Sequence, residues 1–236
     1  MKIKHLRTIG DGFCFNHYWP MWSQLLAEIL DCEWQNFSLP GLGNEAIANI
    51  VLDQVSAEDL PNTLWVIQWA EPKRLDFRVD TINPAFLKET ESDPIYYKNF
   101  ITTAQGRKYW SSSASILPWV AEQRNLITLE QYQDRQKLFE LAVTHALEKA
   151  GVKWQYISTP AMMSFLKQSK YFDLDVGEIQ PVSSVHLDFL EQFVLPRLDI
   201  DTSRLDNIRE KTLLVDQERK HSNQFVPWDR NMHKRV

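Results

Sequence analysis

The chain has 236 residues, which suits one large domain or a domain with an appended segment. Hydrophobic residues make up 44% and charged residues 24%, as in ordinary soluble globular proteins, and the few glycines and prolines exclude a low-complexity chain. The formal net charge of −5 argues against a nucleic-acid partner. No apolar run reaches the roughly 18 residues of a membrane-spanning helix, and the N-terminus lacks the apolar stretch of a signal peptide. We therefore predict neither a membrane partner nor secretion.

Cysteine and tryptophan contents each bear on the class of protein. Two cysteines, Cys14 and Cys32, do not make a disulfide framework, and we interpret both as free thiols in a reducing compartment. Nine tryptophans are many for this length. They either fill the core and interfaces, or form a surface with several rings, as in sugar-binding or assembly proteins.

Strands and helices alternate through the first 70 residues. Residues 3–9 alternate in hydropathy up to Gly10 and predict a first strand, and residues 32–37 predict a second. The apolar run at 63–70 is typical of a strand that is buried on both faces of a parallel sheet. Between these strands, apolar residues recur at the spacing of a helix in two segments. They are Trp22, Leu25, Leu26, Ile29 and Leu30 in the first, and Ile47, Ile50, Val51 and Val55 in the second. This order predicts a layered α/β sheet.

The second half of the chain continues the pattern after an interruption. We predict that residues 71–125 form a long insertion with short helices that caps one end of the sheet. A helix follows, with a capping-box pair of Thr128 and Gln131 at its start and Gly151 at its end. Its predicted buried stripe consists of Phe139, Ala142, Val143, Ala146, Leu147 and Ala150. A strand over 152–159 and a helix over 185–195 complete this part.

The apolar periodicity that predicts strands and helices weakens from Asp199 onward. Residues 201–236 hold eight Lys/Arg and six Asp/Glu and few runs of core type. We predict one α/β domain over 1–198, and an arm or tail over 199–236. An arm of this kind could pack on a neighbouring subunit and form a homo-oligomer.

Four short blocks in this chain carry a family resemblance. They read "IGDGF" at the end of the first strand, "NFSLPGLGNEAIAN" after the second, "VIQWAEPKR" at the end of the third and "EIQPVSSVHLDFLEQFVLP" at the last helix. In this order they resemble the SGNH/GDSL hydrolases, particularly divergent members found among bacteriophage proteins, over roughly residues 1–198. The resemblance implies a three-layer α/β/α, flavodoxin-like fold with a parallel sheet. It also implies a location in the cytoplasm or in a virion.

The resemblance implies a catalytic serine after the first strand and a histidine, oriented by an aspartate, in the last block. In this chain the serine position holds Gly12 and the histidine position holds Gln180. The aspartate position holds Gly177, or Glu178 if the spacing is one residue shorter. Glycine cannot form an acyl-enzyme, and glutamine cannot act as a general base near neutral pH. Ester hydrolysis through these positions is therefore not expected.

The oxyanion-binding groups that the resemblance implies are only partly present. The glycine of the second block is Gly41, but the third block reads Trp69-Ala70-Glu71 and lacks the family's asparagine. Glu71 and Arg74 follow the third strand, where they could pair with each other or line a pocket. By motif position the pocket consists of Asp11, Gly12, Gly41, Asn44, Glu71, Arg74, Glu178 and Gln180.

Other groups could replace the missing ones. Cys14 with His17 could form a nucleophile–base pair, and His186 could serve as a base. The alternatives are that Cys14 is a small buried residue and that His186 positions a loop. An acidic cluster in residues 173–178 could bind a hard cation, but nothing in its spacing selects a metal. We expect neither a metal nor a cofactor.

Three functions remain open on the sequence. The first is a binding or structural protein on an SGNH-like scaffold that has lost hydrolysis, as a phage virion component or a glycan-facing protein. Its partners would be glycans or other virion proteins. The second is an active carbohydrate esterase or deacetylase that uses unconventional residues. The third is an unrelated doubly wound α/β protein.

Overall fold

The computed structural model describes residues 2–11, 14, 20–38, 42–57, 61–78, 100–102, 108–112, 125–158 and 183–222. The strands are β1 (His5–Ile9), β2 (Glu33–Asn36), β3 (Thr63–Trp69), β4 (Leu75–Arg78), β5 (Phe100–Thr102), β6 (Lys108–Ser112) and β7 (Lys153–Ser158). The helices are α1 (Trp22–Leu30), α2 (Asn44–Ala57), α3 (Leu129–Lys149), α4 (Ser183–Phe189) and α5 (Leu205–Ser222).

Four strands form a parallel sheet in the order β2-β1-β3-β7. The chain moves from β1 outward to β2, and then crosses over to β3 on the other side of β1. The order therefore reverses between β1 and β3, and in open α/β sheets this is where ligands bind, beyond the carboxyl ends of the strands. Every residue of β3 is buried, which confirms the prediction of a central strand.

Helices cover both faces of this sheet, because alternate strand residues face opposite sides. Leu6, Leu64 and Val66 pack in one core with α1, α4 and α5. Ile9 and Ile67 pack in a second core with α2 and α3. The predicted α/β sheet with helices is thus confirmed. Four of the tryptophans fill these cores, namely Trp22, Trp34, Trp65 and Trp69.

The insertion after β3 contains strands that the sequence analysis does not predict. In its described part, β4, β6 and β5 form an antiparallel sheet in that order, and most of the range in which we predict short helices lies outside the described residues. Strand β4 contacts α2 and thereby connects this sheet to the main domain. The sequence analysis did not predict these strands, because β5 and β6 are only three and five residues long, which is too short for a periodic signal.

Helix α3 begins as predicted but is less buried than predicted. The Thr128 hydroxyl accepts from the Gln131 backbone N–H, and the Gln131 side chain accepts from the Thr128 N–H, so the capping box is confirmed. Gly151 has φ of 66° beyond the helix end. Of the predicted stripe, Val143 and Leu147 are buried, whereas Ala142 and Ala150 are exposed. The helix therefore covers α2 with a narrow stripe.

The end of the chain contains more structure than its pattern indicated. Helix α5 packs against α1 and α4, and Ile208 joins their core. The Asp216 carboxylate accepts hydrogen bonds from the Ser183 and Ser184 backbone N–H groups and so caps the start of α4. The predicted last helix begins at Ser183 and continues beyond α4 as a π-helical turn over Leu190–Val194.

No helix in the described part of the chain is long and apolar enough to cross a membrane.

Candidate functional site

Polar residues gather where β1 and β3 end, at the reversal of strand order. Asp11 follows β1 by two residues, and Gln68 lies near the end of the adjacent strand β3. Asp11 is fully buried. The Gln68 Nε2 group donates to Asp11 Oδ1 at 2.8 Å, and Arg74 Nη2 lies 3.0 Å from Asp11 Oδ2. Arg74 neutralises the carboxylate, which is necessary because a buried charge without a partner is costly.

Cys14 belongs to the same cluster. Its buried thiol donates to Gln68 Oε1 at 2.6 Å. Burial raises the pKa of the Cys14 thiol well above its ordinary value near 9, and the negative charge of Asp11 raises it further, against smaller opposite effects from Ser38 and Trp22. The carbonyl oxygen of Gln68 favours the protonated form as well, because it can accept from a thiol but repels a thiolate. Cys14 therefore stays protonated at neutral pH.

Both thiols are expected to react slowly in the folded protein. Burial also raises the pKa of Cys32, to about 12. Because a thiolate is the reactive form, Ellman's reagent at pH 8 should label the native chain far more slowly than the urea-unfolded chain, which should release two equivalents at once. Rapid native labelling of Cys14, with the Cys14→Ala and Cys32→Ala variants identifying the site, would contradict this environment.

Hydrogen bonds from a side chain of β2 hold the residues that follow β1. The Asn36 Nδ2 group donates to the Cys14 carbonyl at 2.8 Å, while its Oδ1 accepts from the Thr8 hydroxyl and from the Ser38 backbone N–H. Trp34 Nε1 donates to the Thr8 hydroxyl in turn. The backbone of Cys14 is also fixed by a bond from its N–H to the Asp11 carbonyl. This part of the site is thus rigidly supported.

The start of α2 is joined to β3 and β4 beside this cluster. Asn44 bonds both backbone groups of Ala70: its Oδ1 accepts from the N–H, and its Nδ2 donates to the carbonyl. The Asp76 carboxylate accepts from the backbone N–H groups of Gly43 and Ala46 and caps the helix. A Cβ at Gly43 would lie 2.6 Å from Asp76 Oδ2, so the cap requires glycine there.

A small open cleft with a volume of about 10 Å³, room for about one water molecule, lies between the start of α2, the beginning of β4 and helix α3. Two arginines, two carboxylates, two amides and apolar groups line it, namely Arg74, Arg135, Glu45, Asp76, Asn44, Gln136, Pro72, Tyr132 and Phe139. Arg74 connects this cleft to the buried cluster, because its guanidinium also reaches Asp11.

The structure brings together four of the predicted site residues: Asp11 and Cys14 in the buried cluster, Asn44 in the cleft, and Arg74 in both. Arg74 pairs with Asp11 and not with Glu71, which is exposed after β3. His186 is buried in α4. The remaining candidates, Gly12, His17, Gly41, Glu178 and Gln180, lie outside the described residues, as does the acidic cluster within 173–178.

Sequence reasoning missed Gln68, Asp76 and Arg135. Gln68 carried a signal, because it is a polar residue inside the otherwise apolar run of β3. Asp76 and Arg135 carried none, since carboxylates and guanidinium groups are common on any surface.

No match was found among protein-family models, curated proteins or solved structures. In the described ranges no group of three or more His, Cys, Asp or Glu residues is arranged to hold a metal ion.

Proposed function

We propose that this chain is a glycan-binding protein on an SGNH-like scaffold that no longer hydrolyses esters. The observation that carries the loss of hydrolysis is the buried cluster at the end of β1, while the glycan ligand comes from the resemblance. The carboxylate of this cluster is neutralised by Arg74, and its thiol is hydrogen-bonded to Gln68. Groups that satisfy one another in this way hold a site in shape but offer no activated nucleophile.

The parallel sheet supports the scaffold part of the proposal. A parallel sheet with helices on both faces is compatible with the layered α/β fold that the resemblance implies, and Asp11 belongs to the "IGDGF" block that resembles the family's serine block. The change of serine to Gly12 and of histidine to Gln180 then removes both ester-cleaving groups. A role as a virion or host-surface component, and self-association through residues 199–236, belong to the same proposal.

The competing function is a carbohydrate esterase that uses Cys14. Its nucleophile would have to ionise in a fully buried position beside the Asp11 carboxylate, and both features oppose ionisation. We therefore favour binding over hydrolysis.

An assay with p-nitrophenyl acetate and acetylated sugars tests the proposal, alongside a glycan array. We expect no turnover above the buffer rate from the wild type, from Cys14→Ala or from Cys32→Ala, and retained binding on the array. Turnover that Cys14→Ala abolishes and Cys32→Ala preserves would establish the esterase instead. Absence of binding to every glycan would overturn the proposed ligand.

A further inference from the structure

The face of α3 that points away from the core exposes two large apolar side chains. Leu138 is 65% exposed and Leu141 is 66% exposed, whereas Val143 and Leu147, on the opposite side of the helix, are buried in the core. At a separation of three residues the two leucines are neighbours on the helix surface. They therefore form one apolar patch in the middle of α3.

Exposed polar residues extend this patch in both directions along the helix. From residue 131 to residue 148, exposed side chains recur at alternating spacings of three and four residues. This is the repeat of a helix face that packs along another helix. We call this row of residues the α3 stripe. It consists of Gln131, Asp134, Leu138, Leu141, His145 and Glu148.

Antiparallel pairing makes the α3 stripe complementary to itself. Two helices related by a two-fold axis between residues 139 and 140 place each residue opposite the one that is equally far from the axis on the other side. Leu138 then lies opposite Leu141 of the second copy, and Asp134 lies opposite its His145. The leucines bury each other, and the imidazole N–H donates to the carboxylate. Each contact occurs twice, because the axis repeats it.

The ends of the stripe and the charges along it favour the same arrangement. Gln131 lies opposite Glu148 of the second copy, and its amide can donate to that carboxylate. A parallel pair would instead place Asp134 against Asp134 and Glu148 against Glu148, and like charges that face each other are unfavourable. The charges therefore select the antiparallel pair.

Basic side chains beside the stripe are paired within their own copy. Lys137 Nζ lies 2.9 Å from Asp134 Oδ1, and Arg135 Nη2 lies 3.0 Å from Glu45 Oε2 on α2. These pairs leave no excess of basic charge for an acidic partner, and they favour a second copy of the chain as the occupant of this face.

We propose that the α3 stripe is the contact surface of a symmetric homodimer, in which it packs antiparallel against the stripe of a second copy. Helix α3 has 21 residues and is about 32 Å long. One helix from each copy buries less than the roughly 1,200 Å² of a stable interface, so the dimer is weak, with a Kd on the order of 10–100 μM. The surface lies outside residues 199–236 and does not depend on glycan binding.

Sedimentation equilibrium of the full chain at about 5–500 μM measures this association. Leu138→Glu should weaken the dimer by about tenfold or more, since it places a carboxylate against Leu141 of the second copy. Leu214→Glu is the matched control, because Leu214 is a leucine on α5 that is 54% exposed, and this variant should change the Kd less than about twofold. Circular dichroism verifies that each variant folds.

Disulfide trapping tests the orientation of the two copies. Mild oxidation of an equimolar mixture of Asp134→Cys and His145→Cys should link the two variants, because these positions face each other across the axis. Neither variant alone should form a linked dimer, since the two copies of either position lie about 16 Å apart. The wild type is the control for Cys14 and Cys32.

The outcomes decide between this surface and the end of the chain. A wild type that stays monomeric at the highest concentration would overturn the inference. So would an association that Leu214→Glu abolishes and Leu138→Glu leaves intact, which would place the contact within residues 199–236. A linked dimer of Asp134→Cys alone would refute the antiparallel arrangement. None of these results bears on glycan binding, which the array tests separately.

Discussion

Replacing Arg74 with methionine is expected to lower the free energy of unfolding by about 3–5 kcal/mol, because it leaves the Asp11 carboxylate buried without its cation. Asp11 is fully buried, and Arg74 is only 17% exposed, so solvent cannot substitute for the lost partner. The Gln68 amide still donates to the carboxylate but brings no charge. Urea denaturation of the two proteins measures the difference.

A double-mutant cycle with Asp11→Asn checks that the effect belongs to the pair. The double variant should be less destabilised than the sum of the two single variants, because no uncompensated charge remains in it. The exposed pair of Lys137 with Asp134 is the matched control, and Lys137→Met should cost less than about 1 kcal/mol. A loss below about 1 kcal/mol for Arg74→Met would show that the pair is not buried as described.

Gly10→Ala is expected to cost about 3 kcal/mol, since the end of β1 has no room for a methyl group. A Cβ at Gly10 would lie 2.5 Å from Cys14 Sγ and 2.7 Å from Gln68 Cβ. Parallel pairing of Ile9 with Ile67 places Gly10 directly beside Gln68, so backbone strands would have to separate to admit the side chain. Thermal unfolding followed by circular dichroism measures the decrease in stability.

Gly151→Ala serves as the control for Gly10→Ala. A Cβ at Gly151 would meet no atom within 4 Å, but the φ of this residue is +66°, so the variant should cost about 1 kcal/mol from backbone conformation alone. Adding Cys14→Ala to Gly10→Ala should recover part of the loss by removing the sulfur, while Cys32→Ala should recover none. Equal losses at Gly10 and Gly151 would refute the steric explanation.

The Arg74→Met and Gly10→Ala variants both probe the packing of the same few atoms. Gly10, Asp11, Cys14 and Gln68 are in mutual contact at the carboxyl ends of β1 and β3.

The sequence alone determined most of the parallel sheet. Its strands, the buried character of β3, helices α1 and α2, and the Thr128 cap were predictable because each depends on residues within a few positions of one another. The antiparallel sheet of the insertion was not predictable, since its short strands are defined by pairing partners up to several tens of residues away.

The site itself was decided by tertiary structure. The four sequence blocks that carry the resemblance pointed to Asp11, Asn44 and Arg74, but they did not indicate which groups these residues contact. Asp11 and Gln68 are 57 residues apart in the chain, and Asp76 caps a helix 30 residues before it. Local sequence fixes which backbone segments become strands and helices, because hydrogen bonds and apolar periodicity act over short spans. Only the packed sheet determines which charges neutralise each other and which donors remain turned toward solvent.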